Sequence, residues 1–144
     1  MFEQEKLLRR FRSYAEIETT SDEHSSASPS TVCEWTLARN LVQELRDIGM
    51  EDASLSAYGY VTAALPANGK DAPVFGLIAH MDTSPEACGR DVRVVRHVKY
   101  DGGLLRLNED AAIDPEEFPE LLRYVGQDIL TSDGTTLLGA DDKA

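Results

Sequence analysis

Between Glu3 and Ile17 apolar residues return every three or four positions, at Leu7, Leu8, Phe11 and Tyr14. That period sets them along one side and predicts a helix. Residues 21–30, SDEHSSASPS, have no apolar period and read as a polar, Ser-rich loop. A second helix is predicted from near Thr31. Thr31 and Glu34 have the capping-box spacing, in which each side chain can satisfy an orphan backbone N–H. Trp35, Ala38, Leu41, Val42, Leu45 and Ile48 form its apolar stripe, and Gly49, able to take the left-handed turn, ends it.

The period then shortens. Residues 53–57 and 60–65 flank Tyr58-Gly59, which predicts two strands joined by a tight turn, the second ended by Pro66. Pro73-Val-Phe-Gly-Leu-Ile-Ala79 is a continuous apolar run, the pattern of a strand buried on both faces of a helix-covered sheet. Residues 83–103 hold Pro85, Gly89, Gly102 and Gly103 and read mostly as loop, with Val92 to Val98 as an edge strand. Leu104 to Leu107 predicts another strand, and Pro115 to Tyr124 a short helix weakened by Pro119. Ile129-Leu130 predicts a strand before the turn at residues 131–134. Helices alternating with strands argue for an α/β layered domain without internal repeats. The closing DDKA is neither a helix cap nor a polar tail, and reads as the first turn of an element that has been cut off.

The 144 residues are one domain's worth of chain, 42% hydrophobic and 28% charged, the balance of a soluble globular protein. No apolar stretch approaches the roughly 18 residues of a membrane span. The first residues mix both charge signs and lack the basic start and apolar run of a secretory signal. A cytoplasmic location without a membrane partner is therefore expected. The 26 acidic residues exceed the 14 basic ones, for a formal net charge of −12, which repels a phosphate backbone and argues against nucleic acid. Cys33 and Cys88 form no C-x-x-C pair, and a cytosolic disulfide is not expected. Cys33 is predicted inside the second helix, as a packed residue.

Two clusters carry candidate chemistry. His80-Met81-Asp82 follows the apolar run, at the sheet edge where open α/β proteins place their ligands. In an extended segment residues i and i+2 project to the same side, so His80 and Asp82 go together. A metal-bound imidazole usually donates its second ring N–H to a carboxylate or carbonyl. The second cluster is Asp141-Asp142, with Gly139 before it allowing close backbone approach. A carboxylate can bind one metal or bridge two. Yet a lone H-x-D recurs by chance in many proteins, and Asp-Asp in a loop is usually a solvated turn. From these residues alone, a two-metal hydrolase and a coincidence both stay open.

A resemblance narrows that choice. The run His80-Met81-Asp82-Thr83-Ser84-Pro85-Glu86 resembles the H-V-D-T-S-P-D segment of the peptidase T family of tripeptide aminopeptidases. The run from Thr131 to Ala144, TSDGTTLLGADDKA, resembles the family's T-T-D-G-x-T-L-L-G-A-D-D-K-A-G. Leu65-Pro-Ala-Asn68, Pro29-Ser-Thr31 and the opening Lys6-Leu-Leu-Arg-Arg-Phe11 are similar to family segments in the same order. The likeness covers essentially the whole chain. Its long second motif sets it apart from the related two-zinc carboxypeptidases and N-acyl amino acid deacylases.

The resemblance implies an α/β fold, the zinc-peptidase catalytic domain with a mixed sheet flanked by helices, of which residues 1–144 are the N-terminal portion. It implies two zinc ions per complete site, His80 ligating one and Asp141 bridging both. Asp82 matches the acidic, active-site partner of the histidine. Asp142 and Lys143 match the motif without being ligands. The implied reaction releases the N-terminal amino acid from a tripeptide, in the cytoplasm, in a full-length protein that forms a homodimer. The family's general-base glutamate, remaining ligands and inserted dimerisation domain all lie beyond the position matching Ala144. With fewer than the three or four ligands of a stable zinc site, the chain alone is expected to be inactive, to hold zinc weakly and to aggregate. The rival from another class is a non-catalytic remnant or binding module.

Overall fold

The computed structural model describes residues 4–69 and 73–138. They divide into two compact units, residues 4–18 with 86–138 and residues 19–69 with 73–85.

In the first unit, α1 (Gln4–Ala15) forms where the leading period predicts it. Its stripe is only half covered: Leu8, Phe11 and Tyr14 are half-buried, Leu7 is exposed, and Ala15 is the buried residue. Three strands are those expected: Val95–His97 and Leu105–Arg106 are shorter than predicted and Ile129–Thr131 is one residue longer. β3 (Val95–His97) pairs antiparallel with β6 (Ile129–Thr131), with Arg96 opposite Leu130. β4 (Leu105–Arg106) pairs with β5 (Ala112–Ile113), a strand of two residues too short to leave a period in the sequence. The edge strand expected over Val92 to Val98 is ladder-bonded only at its centre, but Val92 and Val94 are buried with Tyr100 and Leu105. The helix expected over Pro115 to Tyr124 is replaced by a turn at Asp114, whose carbonyl accepts the Glu117 and Phe118 N–H groups, and a 3-10 helix over Pro119–Tyr124. Pro119 supplies no N–H and holds Phe118 out of the helical region, at φ −121° and ψ 72°, so no α-helix runs through it.

The second unit is organised by α2 (Glu34–Asp47) and the hairpin of β1 (Ser54–Leu55) and β2 (Val61–Thr62), with Ser54 opposite Thr62. Helix α2 touches both strands. Leu37, Ala38 and Val42 are buried, Leu41 and Leu45 half-buried, and Ile48 is exposed. The true inner stripe therefore runs through Leu37, which the predicted stripe lacks. Trp35 lies beside it, with the Arg39 guanidinium 5.8 Å from its ring centroid.

The helix ends as predicted. Gly49 takes φ 99°, its N–H reaches the Arg46 carbonyl at 2.9 Å, and the Met50 N–H reaches Leu45 at 2.9 Å, the two bonds of a Schellman motif. Only half of the expected capping box forms. Glu34 Oε1 accepts the Thr31 N–H at 3.0 Å, with the Ser30 hydroxyl at 2.9 Å, but the Thr31 hydroxyl reaches the Thr20 carbonyl at 2.9 Å and caps no helical N–H. Cys33 consequently precedes α2 instead of lying in it; both cysteines are free thiols.

The largest departure is the apolar run. Residues 73–79 form no strand, and Val74, Phe75, Leu77 and Ile78 are 98%, 85%, 100% and 98% exposed. A strand buried on both faces needs a neighbour on each edge and cover on each side. Among the described residues no strand pairs with this run. In place of the expected mixed sheet flanked by helices, the described residues form three two-stranded antiparallel ladders and one parallel bridge, Thr20 to Thr83. Helices and short antiparallel sheets make up a partial α/β domain.

Candidate functional site

The parallel bridge lies directly after the first chemical cluster. Thr83 N–H donates to the Thr19 carbonyl at 3.0 Å, and the Thr83 carbonyl accepts from the Ser21 N–H and the Ser21 hydroxyl, both at 3.0 Å. Thr19 and Thr83 are fully buried, so residues 80–82 run from an exposed segment into an anchored one.

Within that stretch His80 and Asp82 project together, as the i, i+2 spacing predicts. His80 Nδ1 lies 2.9 Å from the Asp82 carbonyl oxygen and 3.2 Å from Asp82 Oδ1. A carbonyl oxygen can only accept, so Nδ1 carries the proton and donates it. A proton on Nδ1 and none on Nε2 is the tautomer that a metal ligand binding through Nε2 needs, and the Asp82 carboxylate lies beside the ring. Both side chains are nearly half exposed, at 46% and 41%. The donor set fits one zinc-binding imidazole and its orienting partner.

Asp141, the residue expected to bridge two metal ions, lies outside the described residues, as do Asp142 and Lys143. Among the described residues no group of three or more His, Cys, Asp or Glu side chains could hold a metal. The second motif is described from Thr131 as far as Leu138. Gly134 turns at φ 82°, and the Asp133 carboxylate accepts the Thr135 hydroxyl and N–H at 2.6 and 3.0 Å, bonds that hold its pKa below the ordinary aspartate value. Asn108 Nδ2 donates to the Asp133 carbonyl at 2.8 Å, tying this turn to the β4–β5 hairpin.

Sequence reasoning passed over Thr19, Ser21 and Thr83. A single bridge leaves no period to detect, and Ser21 reads as the first residue of a polar loop.

No protein-family model matches the chain. Curated relatives do. The chain is 51% identical over 143 residues to peptidase T of Geobacillus kaustophilus, 48% over 142 residues to peptidase T of Caldanaerobacter subterraneus, and 46% over 143 residues to peptidase T of Listeria monocytogenes. Each match takes in 96 or 97% of this chain and 35% of the relative. Over nearly all of its own length the chain is similar to proteins named peptidase T. It spans about a third of the length of these relatives. The rival reading as a related carboxypeptidase or deacylase finds no support in these names. Among the described residues no helix is long and apolar enough to cross a membrane.

Proposed function

We propose that the full-length protein is a cytoplasmic, zinc-dependent aminopeptidase that releases the N-terminal amino acid from tripeptides, and that residues 1–144 carry part of its metal site. The observation that carries this reading is the His80–Asp82 pair, an imidazole held in the Nδ1–H tautomer at the first motif shared with peptidase T. In this reading His80 and Asp141 would hold the zinc, and Asp82 would fix the imidazole and raise its basicity. When bound, zinc would supply Lewis-acid polarisation of the scissile carbonyl and activation of water. The substrate is a short peptide with a free amino terminus, and the working protein is a homodimer.

A stable zinc site needs three or four ligands, of which His80 and Asp141 would be two. The metal assignment is tested by elemental analysis of the protein carried to its relatives' length. Two zinc ions per chain are expected, with zinc lost in His80→Ala and in Asp141→Ala. Full zinc content in both variants would show that neither residue is a ligand.

A further inference from the structure

The hydrogen bonds around Thr83 reach the His80 ring through a single peptide group. The Asp82 carbonyl and the Thr83 N–H belong to the same peptide plane, which resonance keeps flat. Its N–H is tied to the Thr19 carbonyl at 3.0 Å, and its carbonyl accepts His80 Nδ1 at 2.9 Å. Tilting this plane therefore moves the acceptor that fixes the ring. Hydrogen bonds in such a chain also polarise one another, so the Thr19 contact strengthens the Asp82 carbonyl as an acceptor.

What holds the plane is the next peptide. The Thr83 carbonyl is gripped by two donors of one residue, the Ser21 N–H and the Ser21 hydroxyl, each at 3.0 Å. The hydroxyl adds a side-chain bond to the two backbone-to-backbone bonds of the bridge. Thr83 itself is buried, so bulk water does not readily substitute for a lost donor.

We infer that Ser21 is a positioning residue for His80: its hydroxyl, through the Thr83 carbonyl and the Asp82–Thr83 peptide plane, holds the imidazole in the Nδ1–H tautomer and orientation that a ligand binding through Nε2 uses. The functional meaning rests on His80 being a zinc ligand, but the positioning is measured without metal.

The test is the ring-nitrogen spectrum of 15N-histidine-labelled, metal-free chain, at a pH where imidazole is neutral. His24 and His97 serve as internal references. In the unmodified chain the His80 signals are expected at Nδ1–H positions. Ser21→Ala and Ser21→Val, which lack the hydroxyl, are expected to shift them toward the average of the two tautomers and leave His24 and His97 unmoved. Ser21→Thr, which restores the hydroxyl, is expected to return them. Unchanged His80 signals in both hydroxyl-free variants overturn the proposal, whatever zinc does. Loss of the folded near-ultraviolet dichroism in both, with Ser21→Thr intact, makes Ser21 a structural residue and also overturns it. Zinc analysis of the full-length protein addresses the ligand role of His80 separately, so the two ideas fail on different results.

Discussion

Gly59 turns the β1–β2 hairpin at φ 83°, and a Cβ built on it would lie 2.4 Å from Pro29 Cγ. Tyr58-Gly59 is readable in the sequence as a turn, but the approach of Pro29 is not, because nothing local links residues 29 and 59. Gly59→Ala combines left-handed strain with a steric overlap, and a loss of about 1–3 kcal/mol is expected in urea unfolding. Asp128 offers a second residue-scale test. Its carboxylate accepts the Lys99 N–H at 2.9 Å and Arg96 Nε at 2.7 Å, and these bonds hold its pKa below the ordinary aspartate value. The folded state therefore binds this proton less readily than the unfolded one. The stabilisation is complete above the ordinary aspartate range and is lost as pH falls through the lowered folded-state value. Asp128→Asn is expected to remove that part of the acid dependence, so the unfolding midpoints of variant and parent should converge on acidification. A constant gap between them across the acid limb would contradict the assignment.

Among the elements, α2 was the most legible. Its period, its stop at Gly49 and most of its inner face follow from the sequence, because burial there repeats every three to four residues over 14 positions. Leu37 was missed within that face although it is fully buried, and Leu37→Ala is expected to destabilise by about 2–5 kcal/mol in chemical denaturation. The two-residue strands were legible only where a turn or an apolar pair marked them. The 3-10 helix at Pro119 shows a local rule winning over a longer pattern. The run at residues 73–79 shows the reverse limit. Its composition encodes burial, and burial depends on neighbouring strands that composition does not supply.

For the whole molecule, that run leaves four large apolar side chains exposed on an extended segment, a surface suited to pairing with other chains. The chain is expected to self-associate as its concentration rises in sedimentation experiments. Leu77→Lys with Ile78→Lys should reduce this without moving the unfolding midpoint, since neither side chain is buried. A monomer at all concentrations would contradict the expectation. The site divides in the same way. His80 and Asp82 were legible because their spacing alone makes them neighbours, and the structure joins them at 2.9 and 3.2 Å. The support beneath them, Thr19 to Ser21 on Thr83, joins residues about sixty positions apart and left no mark.

The most direct measurement is peptide hydrolysis by the protein at the length of its relatives, with one tripeptide supplied free and N-acetylated. The account predicts that the free tripeptide yields its first amino acid and a dipeptide, that the blocked one is untouched, and that His80→Ala abolishes the reaction. Removal of the acetyl group, cleavage from the carboxyl end, or undiminished turnover in His80→Ala would contradict it.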